Sequence, residues 1–304
     1  MKRTILLLFL VLIAACVPNG PGSPYISTEP APIAATPSTA PSPFPPAAPL
    51  PTTSLAPDEY TFAILGLDQS KARCDRGERC GQGAHTDVFL LVHVLVGPTP
   101  AVTAILIPRS LYVPGIGYEM WSMQVYGKTG WEGIHDYVGK VFGIPIDGGF
   151  AVDMDAFATI VNNLGGVQVG GQSLDGAETL AYLRDLKNNW GCYYYDCEGR
   201  TVQVAIALKD AFFRSLPDTL TDPVALYDLA MSLRGLYTTD LSGMEQITTL
   251  AHLALTARDA PVRMVRLWIP EVRTADTPLD IRGLVPATDL KVWMQGVLLG
   301  KEQP

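Results

Sequence analysis

The sequence predicts an α/β domain in which a mixed sheet is flanked by helices. Three observations lead to this fold class. Apolar strand patterns interleave with longer helical patterns from about residue 58 to residue 304. Before that domain, residues 17–57 hold 13 of the 25 prolines and a single charged side chain, Glu29. The chain begins with a basic start and a short apolar run, which together are typical of an exported protein.

The composition limits the classes of function. The chain has 304 residues, of which 48% are hydrophobic, so it is long enough to bury a sizeable core. Its 22 basic and 30 acidic residues give a formal net charge of -8. This charge argues against nucleic acid as a partner, because phosphate backbones require a basic face. The four histidines and five cysteines show no spacing typical of a zinc site.

The N-terminus is predicted to be a lipoprotein signal peptide. Lys2 and Arg3 precede the apolar run Ile5–Ala15, which is too short for a membrane span of about 20 residues. The sequence that ends this run, at Cys16, resembles a bacterial lipobox, in which the cysteine is lipid-modified and becomes the first mature residue. We therefore expect residues 1–15 to be removed and Cys16 to anchor an extracytoplasmic protein in a membrane. An ordinary signal peptide that contains a cysteine is the alternative.

Residues 16–57 are predicted to be a disordered tether. The segment is rich in Pro, Ser, Thr and Ala, so it cannot bury a core and favours extended polyproline conformations. At roughly 3.1 Å per residue it could hold the folded domain on the order of 100 Å from a membrane. A linker with no spacing role would have the same composition.

Two short polar loops are bracketed by cysteines. Cys74 and Cys80 lie six residues apart, and Cys192 and Cys197 lie five apart. In an exported protein these pairs favour two local disulfides. Four free thiols and pairing across the two loops are the alternatives, because connectivity does not follow from the sequence.

The elements of the folded part follow from periodicity and from turn signals. Apolar runs predict strands, and the turn at residues 97–100 predicts a hairpin between the second and third of them. The strands are Tyr60–Leu67, Thr86–Val96, Ala101–Ile107 and Val262–Ile269. Helical patterns with cap signals complete the domain. The helices are Trp131–Phe142, Asp153–Leu164, Asp175–Leu186, Gly199–Ser215, Thr221–Arg234, Ser242–Thr256 and Thr288–Leu299.

Seven segments, in order and at matching spacing, resemble the LytR-CpsA-Psr family of cell-envelope proteins over about residues 60–210. They begin with a strand that ends in Gly-Leu-Asp, a His-Thr-Asp strand entry and an Ile-Pro-Arg-Ser-Leu-Tyr-Val segment. The segments are Phe62–Asp68, His85–Asp87, Ile107–Val113, Gly143–Asp147, Leu164–Val167, Ala181–Arg184 and Gly199–Thr201.

This resemblance implies both a fold and an activity. Proteins of the family have a mixed sheet flanked by helices, with an apolar groove for a polyprenyl chain. They transfer a glycopolymer-phosphate from a polyprenyl pyrophosphate carrier to a cell-envelope acceptor glycan. Such chemistry requires cations and a metal ion that stabilise the departing phosphate. Arginine forks suit phosphate oxygens, and carboxylates hold Mg²⁺ against the same oxygens.

The resemblance assigns roles to particular residues. Arginines that match the family pattern are expected to bind the pyrophosphate and to act in catalysis, and two carboxylates are expected to hold Mg²⁺. The cations are Arg109, Arg184 and Arg200, with Lys187 as an additional substrate contact, and the metal ligands are Asp87 and Asp68. For each of them the alternative is an ordinary role, as a strand-end residue, a capping residue or a solvated surface ion pair.

The sequence also departs from the family pattern. Ser110 stands where the family has a second metal-binding Asp, and Leu186 replaces an Arg. Gln203 and Val204 stand where the family has Arg and Gln, and Glu119 stands where it has a basic residue. Three hypotheses follow. The protein is an active phosphotransferase with an altered site, a degenerate protein that binds polyprenyl phosphates or glycans without turnover, or a lipid-anchored interaction module.

Overall fold

The structure is a computed structural model that describes residues 59–78, 80–184, 197–215, 235–241, 260–267, 272–276 and 282–300. These ranges contain ten strands and six α-helices. The strands are β1 (Glu59–Leu67), β2 (Thr86–Leu95), β3 (Ala101–Ile107), β4 (Gly148–Val152), β5 (Val167–Val169), β6 (Gln172–Leu174), β7 (Thr238–Thr239), β8 (Val262–Arg266), β9 (Val272–Asp276) and β10 (Arg282–Pro286). The helices are α1 (Lys71–Asp75), α2 (Ser122–Phe142), α3 (Met154–Asn163), α4 (Gly176–Arg184), α5 (Cys197–Ser215) and α6 (Leu290–Leu298).

Six of the strands form one mixed sheet in the order β7-β4-β1-β2-β3-β8. β2 is antiparallel to both β1 and β3, whereas β4 is parallel to β1 and β8 is parallel to β3. The C-terminal ends of β1, β3, β4 and β8 therefore meet the N-terminal end of β2 at one edge of the sheet. We call this edge the site edge, because Asp68, Asp87 and Arg109 all lie at it.

The two faces of the sheet carry separate apolar cores. Alternate residues of β1, β2 and β3 point to opposite faces, as the pleat requires. One face packs on α3 and α5, through residues such as Val161, Val204 and Ala207. The other face packs on α2 and α6, where Tyr137 and Met294 are fully buried. The expected mixed sheet between two layers of helices is confirmed.

Helix α2 begins at Ser122, nine residues before the helix that the periodicity predicts. Gly130 interrupts the helical backbone with a φ of 65°, so the helix has two segments joined at a kink. The first segment buries Met123 and Val125, but its small and β-branched residues, with Gly127 and Gly130 among them, conceal the helical pattern. This is why the sequence predicts only the second segment.

Other differences concern short elements. The predicted strands, the first hairpin and the ends of α3 and α6 agree with the structure within about three residues at the described positions. β4 and the β5–β6 and β9–β10 hairpins are absent from the prediction, because strands of three to five residues carry little periodicity. The predicted helices over residues 221–234 and 242–256 lie outside the described residues. No helix within the described ranges combines the length and the apolar character that a membrane crossing requires.

A buried carboxylate ties the end of β1 to the start of β2. The Asp68 side chain is 2% exposed. Its Oδ1 accepts a hydrogen bond from the backbone N–H of His85 at 2.7 Å, and its own N–H donates to the His85 carbonyl at 2.8 Å. Arg73 donates to the Asp68 carbonyl at 2.6 Å and to Oδ2 at 3.1 Å. We call this group of three residues the Asp68 clasp.

The loop that the Asp68 clasp closes is also joined covalently. Cys74 and Cys80 form a disulfide with their Cα atoms 5.1 Å apart, so the structure contains the first of the two expected local bridges. The same loop reaches α3: the Lys71 N–H donates to Asp155 at 2.6 Å, and the Met154 N–H donates to the Gln69 carbonyl at 3.1 Å. Cys192 lies outside the described residues and the side chain of Cys197 is not described, so the second bridge stays a prediction.

A row of polar side chains crosses the sheet close to its other edge. Thr61, His93 and Thr103 are paired across β1, β2 and β3, and all three are buried. The Thr61 hydroxyl lies 3.0 Å from Nδ1 of His93. Burial disfavours the charged imidazole and lowers the pKa of His93 to about 4. The ring is therefore neutral in the folded protein at neutral pH.

We expect the folded protein to lose stability as the pH falls from about 6.5 to about 4. The unfolded chain takes up a proton on His93 near its ordinary pKa of about 6.5, but the folded chain resists until about 4. The loss should be on the order of 3 kcal/mol. His93→Gln, which keeps a polar group beside Thr61, should flatten this part of the profile in urea unfolding followed at a series of pH values. Parallel profiles for the variant and the unchanged protein would contradict the prediction.

The two aspartates of the site edge should differ in their contribution to stability. Asp68→Ala should lower the free energy of unfolding by on the order of 3 kcal/mol, because it leaves buried donors without an acceptor. Asp87→Ala should lower it by about 1 kcal/mol or less, because Asp87 is 43% exposed and makes a surface ion pair. Urea unfolding of both variants measures the difference. Equal losses would show that the clasp does not stabilise the fold.

Candidate functional site

Two of the residues that the sequence singles out meet at the site edge. Asp87 is the second residue of β2, and Arg109 lies two residues beyond the end of β3. The antiparallel register of these strands brings the two side chains together, and the Arg109 guanidinium donates to Asp87 Oδ1 at 2.7 Å. Both side chains are 43% exposed. An ion pair this exposed contributes little to stability, so an incoming anion can replace the carboxylate at the guanidinium.

A third charged residue reaches the same edge, and sequence reasoning missed it. Arg266 ends β8 and is paired with Leu106 of β3, three residues before Arg109. Val262 and Met264 pack in the core on the α3 and α5 side, so strand alternation places the exposed Arg266 on that side as well. Only the pairing of β8 with β3 could reveal this, because 157 residues separate Arg109 from Arg266 along the chain.

The loop that follows Arg109 ends close to where it begins, because its last residues form hydrogen bonds with its first ones. The N–H of Met123 donates to the Arg109 carbonyl at 3.1 Å, and the N–H of Ser122 donates to the Leu111 carbonyl at 2.9 Å. The Ser122 hydroxyl donates to the Pro108 carbonyl at 2.6 Å. The start of α2 is therefore fixed against the end of β3. We call residues 109–123 the Arg109 loop.

The Arg109 loop also carries an acid that is held from within the loop. The Tyr112 hydroxyl donates a hydrogen bond to the carboxylate of Glu119. Tyr112 is buried and Glu119 is exposed. This hydrogen bond raises the pKa of Tyr112, with smaller contributions from burial and from the charge of Glu119. The resemblance to the family pattern leads us to expect a basic residue at this position, and here Tyr112 holds an acid instead.

The C-terminal hairpin docks on the Arg109 loop. Leu284 of β10 donates from its N–H to the Ser110 carbonyl at 3.0 Å, and its carbonyl accepts from the Tyr112 N–H at 2.8 Å. The carbonyl of Ser110 is thereby fixed in backbone pairing. Leu111 and Leu284 are both buried in the core on the α2 side. The C-terminal part of the chain, which lies beyond the segments that resemble the family, therefore supports the site.

Two other predicted cations lie where α4 and α5 meet. Arg184 is the exposed last residue of α4. Arg200, near the start of α5, donates to the Tyr182 carbonyl at 3.1 Å, and its guanidinium carbon lies 5.2 Å from the centre of the Tyr182 ring. The Tyr182 hydroxyl in turn donates to Gln203 at 2.5 Å. The predicted residues thus form two groups, one at the site edge and one at this helix junction. Lys187 lies outside the described residues.

The two predicted metal ligands differ in how well they suit Mg²⁺. The carboxylate of Asp68 is buried, and both of its oxygens accept hydrogen bonds from within the Asp68 clasp, so it does not fit a metal site in this arrangement. Asp87 is exposed beside a candidate phosphate-binding arginine, and Mg²⁺ commonly binds through one or two carboxylates together with substrate phosphates. Asp87 therefore fits as a single ligand. Among the described residues, no three His, Cys, Asp or Glu side chains cluster in a way that could hold a metal ion.

The chain resembles known proteins in sequence and in fold. Residues 47–172 match the model of the LytR_cpsA_psr family. This stretch includes Asp68, Asp87 and Arg109 and ends before α4. No curated protein matches the chain.

Solved structures extend the likeness beyond the matched stretch. TagV of B. subtilis is 19% identical, with a TM-score of 0.59, and the match covers 82% of this chain and 100% of that one. A LytR-Csp2A-Psr enzyme from Actinomyces oris is 22% identical, with a TM-score of 0.55 and coverage of 78% and 88%. A structure of TagT bound to LIIa-WTA is 19% identical, with a TM-score of 0.55 and coverage of 81% and 91%. The chain therefore has the fold of these proteins, and its residues 47–172 match the LytR_cpsA_psr family model.

Proposed function

We propose that this protein is a divergent member of the LytR-CpsA-Psr family that transfers a glycopolymer-phosphate from a polyprenyl pyrophosphate carrier to a cell-envelope acceptor glycan. The observation that carries the proposal is the exposed pair of Arg109 and Asp87 at the edge where four strand ends meet the start of β2. The matches support it, because one similar structure is described as an enzyme and another as bound to LIIa-WTA.

The pyrophosphate would take the place of Asp87 at the Arg109 guanidinium. A diphosphate offers more anionic oxygens than one carboxylate does, and the planar fork of arginine binds two of them at once. Arg266 lies on the neighbouring strand end, and Arg184 and Arg200 would approach from the junction of α4 and α5. Together these cations would stabilise the charge that develops on the leaving phosphate.

The polyprenyl chain would lie along the face of the sheet that packs on α3 to α5. Half-buried apolar side chains border the core on that face, among them Val88 of β2 and Met264 of β8. Helix α5 also has the exposed apolar side chain Ile206, and Phe157 of α3 and Leu183 of α4 are only partly buried. Transfer of a prenyl chain from water to such a surface is favourable by roughly 25 cal/mol per Å².

Asp87 would hold Mg²⁺ once Arg109 binds the pyrophosphate. A bound Mg²⁺ would supply positive charge to the phosphate oxygens. The protein itself contributes an exposed carboxylate, that of Asp87, beside Arg109. Asp68 would act indirectly. The Asp68 clasp fixes His85, and His85 directly precedes β2, the strand that carries Asp87.

The same proposal places the domain outside the cytoplasm, anchored to a membrane through a lipid on Cys16 and spaced by residues 17–57. We expect the mature protein to begin at a lipid-modified Cys16 and to fractionate with membranes. Cys16→Ser should remain unprocessed or be released, because the thiol is the atom that the lipid modifies. Intact-mass spectrometry of the native protein measures the modification, and an unmodified Cys16 would contradict it.

Binding of the carrier can be tested with geranylgeranyl pyrophosphate. We expect this probe to bind, and geranylgeraniol and inorganic pyrophosphate to bind more weakly, because each lacks one half of the recognised group. Arg109→Ala should weaken binding by roughly 10- to 100-fold, as expected for the loss of a charge-assisted hydrogen bond. Isothermal titration calorimetry measures the affinities, with Arg76→Ala, an exposed arginine paired with Glu78, as the control variant. Equal affinities for Arg109→Ala and the control would overturn the assignment of the site.

A second function is favoured by one observation. Gln203, at the position of a family arginine, accepts the Tyr182 hydroxyl and so takes part in helix packing. Together with Ser110 in place of an Asp, this favours a protein that binds the lipid carrier without turnover. In that case the unchanged protein binds geranylgeranyl pyrophosphate but transfers nothing. Ser110→Asp combined with Gln203→Arg should then raise a Mg²⁺-dependent transfer rate, and Asp87→Ala should abolish any such rate without unfolding the protein.

A further inference from the structure

We propose that Glu119 is the general base that takes the proton from the acceptor hydroxyl. This inference rests on the proposed function and adds a residue to it. The carrier site supplies cations, but an attacking hydroxyl must also lose a proton, and a positioned carboxylate is a common acceptor for it in phosphoryl transfer. Three features of the structure point to Glu119: its place, its fixed geometry and the absence of an ion pair with any cation among the described residues.

The place of Glu119 follows from the closure of the Arg109 loop. Both ends of the loop meet at the end of β3, where Met123 bonds to the carbonyl of Arg109 and Ser122 bonds to the carbonyl of Leu111. Glu119 is three residues before Ser122, and its carboxylate meets the hydroxyl of Tyr112, which follows Arg109 by three residues. The docked β10 strand pairs with Ser110 and Tyr112 and prevents this segment from moving away.

The geometry of Glu119 is fixed by Tyr112. The ring of Tyr112 is 2% exposed, so its hydroxyl is held by packing, and it donates to the Glu119 carboxylate. The pKa of Tyr112 is raised, chiefly by this hydrogen bond, so the hydroxyl keeps its proton and remains a donor. Tyr112 thus holds the carboxylate from inside the fold, and Glu119 as a residue remains exposed to solvent.

Other carboxylates near the site edge are already committed. Asp87 is paired with Arg109, and Asp68 is buried in its clasp. Asp136, further along α2, is paired with Lys140 at 2.7 Å. Within the described part of the chain, no lysine, arginine or histidine forms an ion pair with Glu119. An acceptor hydroxyl that approaches Glu119 would therefore not have to displace a cation paired with this carboxylate.

The proposed transfer step conserves atoms and electrons. The acceptor oxygen attacks the phosphorus that carries the glycan, and a new P–O bond forms. The bond from that phosphorus to the bridging oxygen of the pyrophosphate breaks, and polyprenyl monophosphate leaves with the electron pair. The hydroxyl proton passes to the carboxylate of Glu119 and returns to solvent afterwards. No electrons are gained or lost. Arg109 and the other basic residues of the proposed site stabilise the negative charge on the leaving phosphate.

The test separates binding from turnover in Glu119→Gln. Single-turnover transfer is measured as release of geranylgeranyl monophosphate from geranylgeranyl pyrophosphate-linked N-acetylglucosamine, in the presence of Mg²⁺ and uncross-linked peptidoglycan oligosaccharides. We expect the rate to fall about 100-fold or more, as for the loss of a general base. Affinity for geranylgeranyl pyrophosphate should change by less than about twofold. Tyr112→Phe should give a smaller loss of rate, because the carboxylate remains but is less well oriented.

Glu132→Gln is the matched control, because it removes an exposed acid from α2 and should leave the rate unchanged. Circular dichroism establishes that each variant is folded. Transfer by Glu119→Gln at the rate of the unchanged protein would overturn the inference alone. Binding without any transfer by the unchanged protein would overturn the inference and the transferase function together. Absence of lipid binding by the unchanged protein would overturn the proposed function itself.

Discussion

The arrangement of the site depends on one buried carboxylate, that of Asp68. A carboxylate that is this well buried is stable only when its oxygens accept hydrogen bonds. Here they accept them from the backbone N–H of His85 and from the guanidinium of Arg73. These hydrogen bonds tie the end of β1 to the residue that directly precedes β2. Asp87 follows His85 by two residues, so its position beside Arg109 depends on Asp68. Asp68 can have this effect without contacting a ligand.

The second constraint is the meeting of distant chain segments at one edge. β3 ends at the site, its own loop returns to it through α2, and the C-terminal hairpin covers that loop. Meanwhile β8 brings Arg266 to the neighbouring strand end from far along the chain. In a protein with an acidic total charge, the sheet register can thus bring basic residues from distant parts of the chain to neighbouring strand ends.

Much of this arrangement could be predicted, and what could not has identifiable reasons. Long strands with continuous apolar patterns, such as β2 and β3, were predictable, and so was the pairing that places Asp87 near Arg109. The first segment of α2 was not, because glycine and threonine conceal its pattern. The burial of Asp68 was not predictable either, since a turn aspartate and a metal ligand look alike in sequence. Arg266 required knowledge of a parallel pairing between distant strands, and local periodicity carries no such information.

The side of β4 that faces away from β1 is covered by β7 and by the residues next to it. β7 contributes only two residues, but Asp240 directly after it accepts the Gly149 N–H at 2.7 Å, and the Thr239 hydroxyl donates to the Gly149 carbonyl at 2.7 Å. His135 lies 2.5 Å from the other oxygen of Asp240 and joins this edge to α2. Side chains, one of them a carboxylate, thus occupy backbone groups that would otherwise be open to a strand from another molecule. A strand from a second copy of the chain would have to displace these side chains to pair with Gly149, so they protect this position against edge-to-edge pairing.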